Sequence, residues 1–350
     1  MLPHPRRTLF VLLAFLAGCG GSKPAADQKT EAPSAEAAAS ITLGGYTTPR
    51  EAYAEILPAF RTQWTKQHPA GIEFKESYLG SGAQARAIIG GFEADVAALS
   101  LEPDIDTIKK AGLITHDWKA RPEAGMVSRS IVVIGVREGN PKGIKDWDDL
   151  AKPGVTVLTP NVRTSGGARW NIAAIWGAAI RGKTSAPKDA PEAATKLLSA
   201  ILANVKNMDP GARESLLNFE RGVGDAIITY ENEILVGKQK GQKYEYVIPK
   251  STILIENPVA IVDTVVDKHD SRKAASALLD FLLTAEAQRI YAKHGLRPVN
   301  AEVAKEVAGS YPGVEDLFTI RDLGDWAGVQ KVIFDTGTGY DNALSKAGSP

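Results

Sequence analysis

"VTVLTPNVRTSGGARWNIAAIWGAA", residues 155–179, passes from a β-rich segment into an apolar segment with helical spacing, and Ser165, Gly166 and Gly167 stand at the junction. The first backbone N–H groups of a helix lack partners within it, and the aligned peptide dipoles leave partial positive charge there. An anion at that end accepts several hydrogen bonds at once. Glycine lets a ligand approach the backbone closely, so the junction favours an anion site. The alternative is Ser165 as an ordinary N-cap beside two glycines that absorb a tight turn.

Short β-rich segments alternate with helical patterns along the rest of the chain, and no internal repeat is present. This alternation predicts an α/β fold in which a mostly parallel sheet carries helices on both faces. Two long apolar strands are predicted at 131–136 and 258–266, and they bracket a middle block of the same α/β type. We therefore expect two lobes, one inserted into the other, with a ligand cleft between them.

Three other helix starts repeat the design found at Ser165. Gly80-Ser81-Gly82 follows a predicted strand, Thr47-Thr48-Pro49 precedes a helix with proline at its first position, and Asp209-Pro210-Gly211-Ala212 precedes another. In an open α/β sheet such junctions lie at the edge where ligands bind. Two of the four starts fall in the first lobe and two in the middle block, so an anion between the lobes would be bound from both sides.

The N-terminal segment has the features of an export signal. Arg6 and Arg7 precede the apolar stretch "TLFVLLAFLA", which is too short to span a bilayer, and Leu16-Ala17-Gly18-Cys19 closes it. This pattern indicates a signal peptide, residues 1–19, with a lipobox; the alternative is a plain signal with an incidental cysteine. Cleavage would leave Cys19 as a lipid-bearing N-terminus, anchored to a membrane and facing the periplasm or cell exterior.

The composition limits the other kinds of partner and site that the protein is expected to have. Residues 20–40 lack apolar periodicity and predict a disordered tether, so the folded body is expected to begin near Ile41. The 41 basic and 41 acidic residues balance, which gives no sign of a nucleic-acid partner. A single cysteine excludes internal disulfides. Five scattered histidines disfavour a metal site, and we expect neither a metal nor another cofactor.

Several motifs together resemble one protein family. They are "PNVRTSGGARWN" with "AAIWG" (160–177), "GSGAQ" (80–84), "YTTPREAY" (46–53), "GNPKGIKDWDDLAKPGV" (139–155), "ERGVGDAIITYENE" (220–233) and "HGLRPVN" (294–300). Over about residues 41–340 the chain resembles the sulfate-binding proteins of bacterial ABC importers.

The resemblance implies a two-lobed periplasmic-binding-protein fold of type II that buries one dehydrated sulfate between its lobes. We expect the first lobe at 41–131, the second at 132–252, and a return to the first lobe with a C-terminal segment at 253–350. The implied role is substrate capture by a monomer that delivers sulfate to a membrane permease and its ATPase.

The resemblance also implies ligand contacts. Hydroxyl and backbone donors fall on Ser165, Gly166 and Gly167, and backbone donors fall on Ser81 and Ala212. Two further positions differ from the family pattern. Thr47 stands where the family usually has aspartate, although the contact there comes from the backbone N–H. Tyr230 stands where the family usually has a tryptophan, whose indole N–H donates to the ligand. A tyrosine hydroxyl both donates and accepts.

Neighbouring residues are assigned other roles. Arg169 and Arg213 are expected to contact the donor residues on the side away from the ligand, without binding the ligand themselves. Trp170 and Trp176 are expected in the core, and the acids at 231 and 233 are expected to pair with arginines or to face solvent.

Sulfate carries no proton at neutral pH, so a site built of donors suits it, whereas phosphate requires an acceptor. The predicted contact residues include no carboxylate, which favours sulfate. Other tetrahedral oxyanions, namely thiosulfate, molybdate, tungstate or phosphate, remain alternatives. An enzyme with Ser165 as nucleophile is a weaker hypothesis, because the sequence has neither a G-x-S-x-G elbow nor a histidine in a recognisable triad order.

Overall fold

The computed structural model describes residues 38–348. Cys19, the predicted signal peptide and nearly all of the predicted tether lie outside the described residues. The first strand begins at Ala39, so residues 39 and 40, which were assigned to the tether, belong to the sheet. Among the described residues no helix is both long and apolar enough to cross a bilayer.

Within the described residues the chain forms ten strands and thirteen α-helices. The strands are β1 (Ala39–Tyr46), β2 (Ile72–Leu79), β3 (Val96–Ala98), β4 (Met126–Arg137), β5 (Val157–Pro160), β6 (Val205–Asp209), β7 (Ala226–Tyr230), β8 (Tyr244–Val247), β9 (Ser251–Ile261) and β10 (Asp316–Phe318). The helices are α1 (Arg50–Thr65), α2 (Ser81–Ile89), α3 (Glu102–Lys110), α4 (Gly166–Ile180), α5 (Pro191–Ala203), α6 (Ala212–Glu220), α7 (Glu231–Gln239), α8 (Asp263–His269), α9 (Arg272–Leu282), α10 (Ala285–Lys293), α11 (Ala301–Glu306), α12 (Asp325–Val329) and α13 (Gly339–Ala347).

The strands follow the order β2-β1-β3-β9-β4-β7-β5-β6, with β10 beside β9 and β8 beside β4. On one side β1 pairs in parallel with β2 and β3, and on the other β5 pairs in parallel with β6 and β7. β4 and β9 pair antiparallel with each other. β9 also pairs antiparallel with β3, and β4 also pairs antiparallel with β7. The expected α/β architecture is confirmed, with parallel pairing in the outer strands and antiparallel pairing at the two long central ones.

β4 and β9 connect the two lobes. The first part of β4 pairs with β9, and its second part, from Val132, pairs with β7. β9 pairs with β4 over 254–258 and then with β3 over 259–261. The predicted lobe boundaries at 131/132 and 252/253 fall inside these strands, and the division at those residues stays a prediction.

The strand predicted at 258–266 was wrong at both ends, because β9 spans Ser251–Ile261 and α8 begins at Asp263. The Asp263 carboxylate accepts hydrogen bonds from the backbone N–H groups of Thr115 (2.6 Å) and His116 (3.2 Å). These contacts fix the first residue of α8 shortly after the end of β9. The apolar pattern of the sequence alone does not indicate that the strand ends there.

Each lobe has its own apolar core. In the first lobe Ile41, Phe60 and Leu278 belong to one buried cluster formed by the sheet, α1 and α9. The largest cluster surrounds α4 in the second lobe, and it includes residues of the C-terminal segment from β10 onward. Trp170 of α4 packs edge-on against Trp326 of α12, with ring centroids 4.7 Å apart. α4 is therefore covered on nearly all sides, which explains its small and apolar composition.

Candidate anion-binding site

The segments that precede α2, α4 and α6 touch one another. A methyl group on Gly80, just before α2, would lie 2.6 Å from the carbonyl oxygen of Thr164 and 3.1 Å from that of Pro210. The Ala83 N–H donates to the Thr164 carbonyl (3.3 Å), and the Thr164 hydroxyl donates to the Pro210 carbonyl (2.7 Å). The predicted starts at Ser81, Ser165 and Ala212 are thus brought together across the two lobes.

The start of α1 joins this group through α6. Arg213, the second residue of α6, donates to both carboxylate oxygens of Glu51 on α1 and to the Thr48 carbonyl (3.4 Å). Thr48, the residue after Thr47, therefore contacts the first turn of α6. The expectation that Pro49 is the first helical residue was wrong, because α1 begins at Arg50.

Ser165 is the N-cap of α4. Its Oγ accepts a hydrogen bond from the backbone N–H of Ala168 (3.3 Å), so Ser165 is an N-cap, and its contact with an anion stays a prediction. The two roles are compatible, because a hydroxyl that accepts one bond keeps its own proton to donate. Capping also fixes the direction of the hydroxyl group relative to the first turn of α4.

The two glycines of α4 have different reasons for being glycine. A methyl group on Gly166 would lie 2.6 Å from Ser100 Oγ and 3.0 Å from Leu101 Cγ, so the close approach of the first lobe requires glycine there. A methyl group on Gly167 would meet Ser165 Oγ and Ala212 Cβ at 3.4 Å. Gly167 thus faces the space that Ser165 and Ala212 share.

Tyr230 lies beside Gly167, because its Cε1 would be 3.5 Å from a methyl group on that glycine. Its hydroxyl forms a 2.6 Å hydrogen bond with Ser100 Oγ, and both residues are fully buried. Burial raises the pKa of Tyr230 above its usual range, so its hydroxyl stays protonated. Ser100 was not among the predicted site residues; its position two residues after the end of β3, at the ligand-binding edge of the sheet, was the available signal.

Tyr46, the residue before Thr47, packs against Tyr230 with ring centroids 6.4 Å apart. Its hydroxyl is buried, and among the described residues it has no hydrogen-bond partner.

The Ser81 side chain is already engaged. Its hydroxyl donates to Asp104 Oδ2 (2.5 Å) and accepts from the Ser100 backbone N–H (2.9 Å). The Ser81 backbone N–H is at the first position of α2, where a helix offers it no internal partner, and its contact with a ligand stays a prediction. Burial raises the pKa of Asp104.

The arginines contact protein groups. Arg169 donates to Gln330 Oε1, and its guanidinium lies 4.5 Å from the centre of the Phe334 ring. Arg213 Nη2 lies 3.1 Å from Glu233 Oε2 in addition to its bonds with Glu51. Both arginines therefore hold neighbouring elements in place.

The predicted roles of the nearby residues are confirmed in part. Trp170 and Trp176 are buried in the core. Glu231 pairs with Arg297 (2.7 Å), and Glu233 lies against Arg213 as described above. The alternative that these acids face solvent was wrong, because both are fully buried.

The starts of α2, α4 and α6 thus meet where the two lobes touch, with the Tyr230 ring beside Gly167 and with α1 joined to α6 through Arg213. Backbone N–H groups at the first turn of a helix lack partners within it, and the arginines nearby are engaged by Glu51, Glu233 and Gln330. Such an arrangement binds an anion through dispersed donors and helix dipoles. A two-lobed fold with donors from both lobes at its cleft defines a ligand-binding protein of the periplasmic type.

Comparison with known proteins supplies the family. The model of the family described as "Bacterial extracellular solute-binding protein" matches residues 41–297, and the chain belongs to this family. It is 43% identical over 329 residues to the sulfate-binding protein of Synechococcus elongatus, with 93% of this chain and 91% of that protein covered. It is 35% identical to the thiosulfate-binding protein of Pseudomonas aeruginosa, with 88% and 96% covered.

A solved structure agrees with the fold. The sulfate-binding protein SubI from Mycobacterium tuberculosis H37Rv superposes with a TM-score of 0.78 at 36% identity, covering 85% of this chain and all of that one. These relatives are solute-binding proteins by name, and the expected family and two-lobed fold are confirmed.

Proposed function

We propose that this chain captures sulfate outside the cytoplasm and delivers it to the permease and ATPase of an ABC importer. The observation that carries the proposal is the contact among the starts of α2, α4 and α6 at the meeting of the lobes, with α1 joined to α6 through Arg213. The sulfate-binding relatives, similar over nearly the whole chain, support this ligand. The proposed contact residues are Thr47, Ser81, Ser165, Gly166, Gly167, Ala212 and Tyr230.

The number of donors is sufficient for tight binding. A hydrogen bond to a charged group contributes about 1.5–3 kcal/mol net, so about seven of them contribute roughly 10–20 kcal/mol. Lost translational and rotational freedom costs about 4–15 kcal/mol. A balance near 8 kcal/mol corresponds to micromolar affinity.

The charge of sulfate is matched without a salt bridge. Arg213 is engaged by Glu51 and Arg169 by Gln330, so helix dipoles and hydrogen bonds carry the recognition. The Asp104 carboxylate accepts a hydrogen bond from the Ser81 hydroxyl, so this carboxylate is engaged by the protein and is not directed to the ligand.

Thiosulfate is a second candidate ligand. This candidate is favoured by the thiosulfate-binding relative from Pseudomonas aeruginosa, whose match covers 88% of the present chain. Thiosulfate has the charge of sulfate and carries no proton near neutral pH, so the same donors suit both anions.

We propose binding without catalysis. A serine nucleophile needs a base within hydrogen-bond reach, whereas the Ser165 hydroxyl caps α4. Each histidine in the described part of the chain bonds to a group elsewhere: His68 to Trp64, His116 to Asp263, His269 to Asp95 and Glu93, and His294 to Glu55.

The anchor is part of the proposal. Cys19 would carry lipid at the mature N-terminus, and residues from 20 to the start of β1 would tether a monomeric body to the membrane. Mass spectrometry of the membrane fraction is expected to find diacylglycerol on Cys19, and a chain cleaved elsewhere would contradict it.

Calorimetry tests the ligand. The full chain, purified in detergent, is stripped of ligand by unfolding, refolded, and titrated with sulfate, thiosulfate and molybdate. We expect one-to-one sulfate binding of about micromolar affinity or tighter. Absence of sulfate binding by the refolded protein would overturn the proposal, and preference for thiosulfate would select the second candidate.

A further inference from the structure

The hydroxyl groups of Tyr230 and Ser100 form a pair at the first turn of α4. They are 2.6 Å apart, and either oxygen is able to donate. Ser100 Oγ lies against Gly166, and the Tyr230 ring lies against the space faced by Gly167. The pair therefore joins the two lobes at the wall of the proposed anion site.

The backbone of Ser100 is fixed independently of its hydroxyl. Its N–H donates to Ser81 Oγ (2.9 Å), and its carbonyl accepts from Trp170 Nε1 (3.0 Å) and Asn257 Nδ2 (3.2 Å). Rotation of the Ser100 hydroxyl proton therefore changes the hydrogen bonding of Tyr230 while leaving the backbone in place.

Two arrangements of protons follow from this geometry. In the first, Ser100 donates to Tyr230, and Tyr230 donates its proton to the anion. In the second, Tyr230 donates to Ser100, and a lone pair of the Tyr230 oxygen accepts a proton from the ligand. A backbone N–H or an indole N–H provides only the first kind of contact.

We propose that the Tyr230–Ser100 pair widens the ligand class of this site to singly protonated tetrahedral oxyanions, of which hydrogen phosphate is the simplest. The inference rests on the proposed function. Hydrogen phosphate has the size and charge of sulfate, but its O–H group needs an acceptor. A site of donors alone leaves that group unpaired or repelled, whereas the second proton arrangement satisfies it.

The test uses the full chain in detergent, stripped of ligand and titrated with sulfate and with inorganic phosphate above neutral pH. The unmodified chain is expected to bind phosphate within about a hundredfold of sulfate. Ser100→Ala removes the acceptor for the Tyr230 proton but keeps the Ser100 N–H bond. It is expected to weaken phosphate about tenfold more than sulfate, because Tyr230 is still able to donate to sulfate.

Ser130→Ala is the matched control. Ser130 is a buried serine on β4 whose hydroxyl has no hydrogen-bond partner among residues 38–348. Its removal is expected to leave the ratio of phosphate to sulfate affinity unchanged. A second measurement needs no variant: phosphate binding to the unmodified chain should strengthen as pH rises through neutrality, because the singly protonated ion replaces the doubly protonated one.

The outcomes separate the two proposals. Sulfate binding with no detectable phosphate binding, or equal weakening of both anions in Ser100→Ala, would overturn the role of the hydroxyl pair and leave sulfate capture standing. Failure of the unmodified chain to bind sulfate would instead contradict the proposed function. If Ser100→Ala does not fold, phosphate affinity that stays constant or falls as pH rises would overturn the inference.

Discussion

Arg213 on α6 makes a two-pronged ion pair with Glu51 on α1, with Nη1 2.7 Å from Oε1 and Nη2 2.8 Å from Oε2. Lys240 adds a third contact, 2.8 Å from Glu51 Oε1. α1 belongs to the first lobe, whereas Arg213 and Lys240 belong to the second. The pair therefore connects the lobes directly beside the proposed site, and it forms only when they are close together.

Glu51→Gln is expected to weaken sulfate binding by about threefold, or ~0.7 kcal/mol, because a partly exposed pair between lobes contributes modestly to the closed state. Calorimetry measures the affinity. Glu55→Gln, one turn further along α1, is the control, since Glu55 pairs with Lys293 and His294 of the same lobe. Equal affinity loss in both variants would mean that Glu51 acts on α1 itself and not on closure.

The same pair predicts an acid dependence. Burial opposes ionisation of Glu51, but hydrogen bonds and charge from Arg213, with Lys240, outweigh it and lower the pKa of Glu51 from 4.5 to about 2. A lowered pKa means that the contribution is complete above about 4.5 and is lost as pH falls towards 2. Thermal unfolding of sulfate-bound protein should show this loss, and Glu51→Gln should reduce the change across that interval. An unchanged acid profile in the variant would contradict the assignment.

Ser165→Ala is expected to weaken sulfate binding by about 1–2 kcal/mol, because it removes one donor to the anion. It also removes an N-cap, which costs about 1 kcal/mol of stability. Thr284→Ala separates the two effects, since Thr284 caps α10 with the same 3.3 Å bond, from the Ala287 N–H. We expect both variants to lose stability in thermal unfolding and only Ser165→Ala to lose affinity in calorimetry. Unchanged affinity in Ser165→Ala would remove Ser165 from the site.

The sequence predicts the local features of the site well. The starts of α2, α4 and α6 fall at the expected residues, because glycine, serine and proline at a strand-to-helix junction act through local backbone chemistry. The resemblance of the motifs to a known family also predicted Tyr230 as a site residue. In the structure Tyr230 and Ala212 both lie beside Gly167.

What the sequence did not predict depends on contacts between distant segments. Ser100 bonds to Tyr230, 130 positions away, and nothing near Ser100 in the chain indicates that partner. The glycine at 166 suggested ligand approach, whereas packing of Ser100 also requires it. The end of β9 was misplaced for a similar reason, because Asp263 is held by Thr115 and His116, which lie far away in the sequence.

Gly80→Ala is expected to block close approach of the lobes without disturbing the fold. The backbone of Gly80, at φ −58° and ψ 141°, suits alanine, but the added methyl would lie 2.6 Å from the Thr164 carbonyl oxygen across the cleft. Gly82→Ala is the matched control, because its methyl would meet atoms no closer than 3.5 Å.

Both variants should unfold at temperatures near that of the unmodified chain. With sulfate, small-angle scattering should show a smaller radius of gyration for Gly82→Ala and for the unmodified chain, but not for Gly80→Ala, whose sulfate affinity should fall by about tenfold or more. Normal compaction and affinity in Gly80→Ala would show that ligand binding does not require Gly80 and Thr164 to come together.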